Sequence, residues 1–325
     1  MARLDTLIGL EQVKYEVRTL TNVLNLQQQR AAAGLPETDM SLHLVFGGNP
    51  GTGKTTVARI VGQIYGAMGI LSKGHLVKTD RSGLVAEYAG QTGPRTNKKI
   101  DEALDGVLFI DEAYSLVSET GDDPYRREAV QTLLKRMEDD RARLVVILAG
   151  YPHEMDGLLR TNPGLSSRFN TKFTFEDYSP EDLGRIFGKL CEQNHYQVPT
   201  ATKLRLLRGF DWLYDQRDEH FGNGRLVRNA FENAIRRLAN RVAGVVPLTN
   251  ELLMTLQADD IQFEDFPADF WQQHEETKLE MRVTCPDCGD VNSISANYLD
   301  RRLRCHGCDH RFVPAWGAPT IDETK

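Results

Sequence analysis

Short apolar runs alternate with stretches of helical spacing over the first half of this chain, and past Ser179 the short runs largely vanish. Residues 10 to 33 predict a helix, with Leu10, Val13, Val17, Leu20 and Leu24 on one face and Gly34 and Pro36 as its stop. Leu42, Leu44, Val45 and Phe46 predict a first strand, after which Val57, Ile60, Val61, Ile64, Tyr65 and Met68 return at helical spacing. Further strands are expected at 75 to 79, 107 to 110, 144 to 149 and 172 to 175. A helix bearing Ala129, Val130, Leu133, Leu134 and Met137 separates the third from the fourth. Buried parallel strands read as continuous apolar runs, and strands alternating with helices argue for a parallel α/β sheet with crossovers. Helical periods resume after a capping pattern at Ser179 and Asp182, and continue to about residue 260. The expected organisation is an α/β domain over 1–178, a helical lid over 179–262, an acidic linker over 263–281 and a small module over 282–317.

The first strand runs into Gly48-Asn49-Pro50-Gly51-Thr52-Gly53-Lys54-Thr55-Thr56, which reads G-x-x-x-x-G-K-T. Glycines let consecutive N–H groups converge on a phosphate, Lys54 brings a cation to the β- and γ-phosphates, and the Thr55 hydroxyl can ligate Mg²⁺. The helix that follows points its positive end at the same oxygens. With a strand before it and a helix after it, this loop implies a bound nucleoside triphosphate.

The third apolar run ends in Asp111 and Glu112. Ligands gather at the carboxyl ends of parallel strands, so Asp111 is placed to hold Mg²⁺ through water and Glu112 to orient or activate the attacking water. Residues 84 to 94 are rich in Gly and end in Pro, which argues for a loop presenting Tyr88. That ring either grips something outside the domain or packs on its own surface. Arg168 lies in a turn-rich segment before the fifth strand, and Gly222-Asn223-Gly224-Arg225 opens a helix carrying Arg225 and Arg228.

Near the end of the sequence, Cys285, Cys288, Cys305 and Cys308 form C-x₂-C-x₁₆-C-x₂-C. That spacing fits a closed four-thiolate Zn²⁺ site, structural rather than catalytic; an iron–sulfur cluster and redox dithiols are the alternatives. Arg282, Arg301, Arg302, Arg304 and Arg311, with Tyr298, Phe312 and Trp316, surround it. Such residues can hold nucleic acid or simply clothe a small domain. The net charge of −7 weighs against non-specific nucleic-acid binding and favours protein contact. Cys191 stands alone and is expected to be buried. The linker region holds Asp259, Asp260, Glu264, Asp265, Asp269, Glu275 and Glu276 among Phe263, Phe266, Phe270 and Trp271, and reads as an ordered spacer. No apolar run approaches membrane-spanning length and the first residues lack a secretory h-region, so a cytoplasmic protein without membrane partners is expected.

Residues 5 to about 245 resemble the AAA+ ATPases, and more narrowly the CbbX/CfxQ and stage V sporulation protein K group. The resemblance rests on the loop above and on Leu7-Ile8-Gly9-Leu10, Glu87-Tyr88-Ala89-Gly90, Leu108-Phe109-Ile110-Asp111-Glu112-Ala113-Tyr114, Leu148-Ala149-Gly150-Tyr151, Asn162-Pro163-Gly164-Leu165 and Gly222-Asn223-Gly224-Arg225. It implies an ATP-hydrolysing ring, usually a hexamer, that remodels a protein client; the best-known activity in the group is remodelling of inhibited Rubisco. Ile8 and Gly9 would lie by the adenine. Arg168 would be the finger that reaches a neighbour's γ-phosphate, Arg225 the lid's sensor with Arg228 as the fallback, and Tyr88 the pore aromatic that pulls on polypeptide. Tyr151 stands where the wider family commonly has asparagine. Two other readings remain at this point: an ATPase whose cysteine module grips nucleic acid, and a scaffold that uses ATP only to assemble.

Overall fold

The computed structural model describes the chain except Glu37, Asp39, Glu264, Asp265, Ala268 and residues 118–122, 276–278 and 321–325; the side chains of 273–275 also lie outside the description. The chain divides into two compact units, Met1–Asp177 and Tyr178–Lys325.

The first unit is built on five parallel strands, β1 (Leu44–Gly48), β2 (Leu76–Thr79), β3 (Gly106–Ile110), β4 (Leu144–Gly150) and β5 (Thr171–Phe175), in the order β2-β3-β4-β1-β5. Three of the five, β1, β3 and β4, are near-continuous apolar runs because they lie inside the sheet with helices over both faces, while the edge strands β2 and β5 carry polar residues. Strand alternation sorts their side chains. Phe46, Val107, Phe109, Val145 and Ile147 pack with Val57, Ile60 and Val61 of the helix Lys54–Ala67 and with Val13 and Val17 of the helix Glu11–Ala32. Val45, Leu108, Ile110, Val146 and Leu148 face the other way, onto Ile100 and Ala103 and onto Ala129, Leu133 and Met137.

One expected loop is shorter than its composition suggested. Arg81–Leu84 forms a helical turn capped by Asp80, and a helix already begins at Thr92. Gly93 and Pro94 therefore sit in its first turn, where a missing N–H costs no intrahelical bond, and the Gly93 N–H donates to Glu128 Oε1 at 3.0 Å.

In the second unit the helices Pro180–Gln193, Thr200–Asp215 and Gly224–Val242 carry the expected helical periods, and Ser179 caps the first by accepting from the Asp182 N–H at 3.2 Å. Beyond them β6 (Glu280–Thr284), β7 (Val291–Ser295) and β10 (Ala318–Thr320) form an antiparallel sheet in the order β10-β6-β7. The pair β8 (Leu303–Arg304) and β9 (Arg311–Phe312) completes a ribbon. This ribbon packs on the lid helices. Leu207 of Thr200–Asp215 joins Met281, Val283, Ala296 and Leu299 in one cluster, and Asp300 accepts from Lys203 at 2.6 Å and from Thr200 at 2.9 Å.

The stretch read as a spacer differs from that expectation. Phe263 meets Phe210 edge to face with ring centroids 5.5 Å apart, Phe266 meets Trp212 at 4.7 Å, and Arg205 lies over Trp271 at 4.1 Å. Its aromatic residues seek apolar surface on Thr200–Asp215 whatever the charge between them. Asp260 is buried and paired with Arg241 at 2.8 Å, while Glu264, Asp265, Glu276 and the side chain of Glu275 fall outside the described residues.

Candidate functional site

Because all five strands are parallel, the loops after β1, β3 and β4 emerge along one edge of the sheet. The loop after β1 curls back through Gly51 at φ +76° and Gly53 at φ +93°, a region that favours glycine. Gly48 is constrained differently: a Cβ there would lie 2.5 Å from the Phe175 carbonyl of the neighbouring strand. Thr52 Oγ1 donates to the Asn49 carbonyl at 2.8 Å, and Asn49 Nδ2 donates to both Asp177 oxygens at 3.0 and 3.1 Å. Lys54 Nζ donates to the carbonyls of Gly48 and Asn49 at 2.6 and 2.8 Å, which holds its charge over the loop. Gly53, the residue before the helix, supplies no side-chain cap. The first N–H groups of Lys54–Ala67 thus point at the concavity, a ready anion site. Thr55 and Thr56 lie in that first turn, half-buried and exposed respectively, and Pro50 is half-buried in the loop.

Val107 and Phe109 face the helix Lys54–Ala67, so alternation directs Asp111 to the same side. The Asp111 N–H donates to the Thr79 carbonyl at 2.8 Å, and its carboxylate pairs with Lys78 Nζ at 2.8 Å. Glu112 is exposed at φ 50° and ψ 43°, a left-handed conformation that costs a non-glycine residue of order 1–3 kcal/mol. Ser115 fixes it, donating its N–H at 2.9 Å and its hydroxyl at 2.6 Å to the Glu112 carbonyl. Between the two loops, Tyr151 follows β4 with its ring 5.9 Å from that of Tyr114. Burial, reinforced by the Glu112 carboxylate, pushes the Tyr114 phenol up to about 12, so it stays protonated. Sequence reasoning brought Asp111, Glu112, Lys54 and Thr55 to this edge but missed Lys78. The only sign of Lys78 was a lone charge in a strand beside one that ends in carboxylates.

Ile8 and Gly9 enter the helix Glu11–Ala32 through two left-handed residues, Gly9 and Leu10, while Leu7 and Leu10 pack against the core that holds Lys54–Ala67. Ile8 is half-buried.

Arg168 sits elsewhere. It precedes β5, so it lies at the amino edge of the sheet, whereas Gly48 is paired with Phe175 at the carboxyl edge. The intervening strand spans roughly 13 Å at about 3.3 Å per residue, too far for a guanidinium to reach its own loop. Its Nη2 pairs with Glu138 at 3.0 Å, Nη1 donates to the Gly164 carbonyl at 3.3 Å, and its own carbonyl accepts from the Ser41 hydroxyl. Beside it His43 is buried, accepts the Val146 N–H on Nδ1 at 3.0 Å, and titrates at about 4, lowered by burial and then by Arg168.

Tyr88 stands 68% exposed in the loop between Arg81–Leu84 and Thr92–Ala103, so the ring does not pack on its own domain. Arg225 and Arg228 are exposed on the first turns of Gly224–Val242, behind a buried Asn223 whose side-chain carbonyl accepts the Tyr178 N–H at 2.8 Å.

The four ribbon cysteines are brought together. Their Sγ atoms lie within 4.8 Å of one another, with Cys285···Cys308 at 3.7 Å and Cys288···Cys305 at 3.6 Å. A tetrahedron of thiolates about 2.3 Å from one ion has edges of about 3.8 Å, so the set fits a single tetrahedral metal. Asn292 Nδ2 and the Gly307 N–H approach Cys305 Sγ at 3.6 and 3.4 Å and support a thiolate there. Cys191 is buried, and burial, with Glu192 adding to it, pushes its thiol up to about 12.

A family model described as "ATPase family associated with various cellular activities (AAA)" matches residues 44–177, and the AAA lid domain model matches 179–270. The chain is 39% identical over 266 residues to stage V sporulation protein K of Bacillus subtilis, covering 81% of each. It is 42% identical over 261 residues to the chloroplastic ribulose bisphosphate carboxylase/oxygenase activase of Cyanidioschyzon merolae, covering 78% of this chain and 87% of the relative. A crystal structure of the FIGL-1 AAA domain superposes with a TM-score of 0.55 at 19% identity, over 79% of this chain and 80% of that one, and shows the same fold. Among the described residues, no helix is long and apolar enough to cross a membrane.

Proposed function

This chain belongs to the AAA+ ATPases and hydrolyses ATP; from that premise we propose that it assembles as a hexameric ring and remodels a protein client by drawing polypeptide past Tyr88. ATP would lie on the loop Asn49 to Thr56, with Ile8 and Gly9 at the base and Lys54 on the β- and γ-phosphates. Thr55 and Asp111 would hold Mg²⁺, which neutralises phosphate charge when bound. Glu112 takes a proton from water as its oxygen bonds to the γ-phosphorus; the bond to the β–γ bridging oxygen breaks, giving ADP and phosphate. Arg168 serves the next subunit. Its place at the far edge of its own sheet supports that role, because the charge it carries can meet a γ-phosphate only on another copy. Arg225 is the lid's sensor of the same phosphate. The ribbon cysteines would hold one structural Zn²⁺, a site suited to the reducing cytoplasm.

The observation that carries the remodelling half is Tyr88, an aromatic ring presented to solvent on a short loop of an ATPase domain. A relative named as a Rubisco activase makes that carboxylase one client to try first.

The test is a trap. Tagged Glu112→Gln protein, loaded with ATP, is recovered from its native lysate beside the same protein carrying Tyr88→Ala. A protein retained only with ATP and with Tyr88 intact is the expected result. Equal capture by both would favour an assembly scaffold. Capture of nucleic acid, lost on Arg301→Ala/Arg302→Ala, would favour a nucleic-acid ATPase.

A further inference from the structure

The sheet brings one cation to the phosphate edge that the reading above does not use. β2 and β3 are parallel neighbours, with Lys78 paired to Phe109 and Thr79 to Ile110. Leu76 packs with the core on the Lys54–Ala67 side and Val77 on the other, so alternation puts Lys78 on the face that also carries Asp111. The two side chains meet there: Lys78 Nζ lies 2.8 Å from Asp111 Oδ2, with the lysine side chain 51% exposed and the carboxylate 24% exposed. The pair is not set by sequence neighbours. The parallel register sets it, one residue past the end of β3, where the Asp111 N–H is also tied to Thr79.

We propose that Lys78 is a positioning residue for the metal of the ATPase site, a built-in counter-ion that occupies one oxygen of Asp111 and sets how tightly a divalent cation is taken up with the nucleotide. This rests on the reading of Asp111 as the carboxylate that holds Mg²⁺. An ammonium on one carboxylate oxygen does two things. It restricts rotation of the carboxyl group, leaving a single oxygen for a metal-bound water. It also places a positive charge close to a doubly charged ion, which weakens binding by Coulomb repulsion. Because Lys78 is half exposed, water and salt damp this repulsion without removing it. Loss of the charge therefore tightens metal uptake, and loss of the carboxylate weakens it. The site would then release its metal more readily after hydrolysis than one with an unpaired aspartate.

Mn²⁺ is the probe, and its binding to the full chain loaded with a non-hydrolysable ATP analogue is read from the free-ion EPR signal. Lys78→Gln, which removes the charge but leaves the buried positions of β2 untouched, should tighten Mn²⁺ binding roughly three- to tenfold. Lys78→Arg keeps the charge and should stay within about twofold of the parent. Asp111→Asn should weaken it by tenfold or more. If Lys78→Gln binds Mn²⁺ equally or more weakly while Asp111→Asn loses it, the counter-ion role is wrong and the site reading stands. If Asp111→Asn binds as the parent does, both fail together.

Discussion

Glycine is used in the loop after β1 for its backbone and in the first lid helix for its missing side chain. Gly51 and Gly53 adopt positive φ, so replacing them strains the chain whatever space surrounds them. Gly184 and Gly188 lie one helical turn apart in Pro180–Gln193, with no positive φ between them. Their role is a notch: a Cβ on Gly184 would meet Trp316 Cε3 at 2.6 Å, and one on Gly188 would meet Cζ2 at 3.0 Å. The indole of Trp316 lies in that notch, with Lys203 5.4 Å from its ring. The first use comes from a motif whose residues are adjacent. The second joins residues well over a hundred positions apart and ties the ribbon to the lid as one body. A domain that read as a tethered module is therefore a fixed part of the unit that carries Arg225.

The largest effect that separates the two units should come from the four ribbon cysteines. With the proposed Zn²⁺ on them, Cys305→Ser or a strong chelator would remove a kind of site that contributes on the order of 10 kcal/mol or more in small domains. Hydrogen exchange should then rise through β6 and β7 and also along Thr200–Asp215, where Leu207 loses its cover, while nucleotide affinity at Lys54 stays within a few-fold. Deprotection of the ribbon alone would mean that the lid does not depend on it.

The notch itself comes next. Gly184→Ala gains about 1 kcal/mol of helix propensity but forces a methyl into the Trp316 ring, and overpacking costs roughly 1–3 kcal/mol. The net should be a lower melting temperature of the second unit, repeated by Trp316→Ala. Gly157 in the helix Pro152–Thr161 is the control, because nothing lies within 4 Å of a Cβ there, and Gly157→Ala should stabilise by about 0.5–1 kcal/mol. Stabilisation at both sites would empty the notch of meaning.

His43 gives the first unit a pH dependence of its own. His43 is held near 4 in the fold against 6.5 unfolded, by burial first and then by Arg168. A depressed folded pKa means that the native state favours the neutral ring, so this stability is fully present above about 6.5 and is lost as pH falls towards 4, on the order of 3 kcal/mol in all. Melting of the first unit between pH 7 and 4 should flatten in His43→Phe. An unchanged slope would assign the acid sensitivity to other groups.

All five strands of the first unit could be placed within two residues from sequence, the three inner ones because strands covered on both faces leave near-continuous apolar runs. Asp111 and Glu112 stood out for the same reason, as charges at the end of such a run. Lys78 did not, since a single exposed lysine in a short strand reads as solvated surface until the register of β2 against β3 is known. The start of a helix at Thr92 was hidden by Gly93 and Pro94, which mark loops and first turns alike. Phe263, Phe266 and Trp271 were masked by the acidic residues among them, and their partners Phe210, Trp212 and Arg205 lie some fifty residues or more upstream. Local pattern reports burial well and reports partners poorly.

The most direct test of the central claim is ATP turnover by Glu112→Gln, measured beside its nucleotide affinity. Loss of a positioned general base costs roughly 10²- to 10⁴-fold in rate, so turnover should collapse by that order while ATP binding stays within a few-fold of the parent. Brisk hydrolysis by Glu112→Gln would contradict that claim and move the water-activating role to another group at the edge where Glu112 stands.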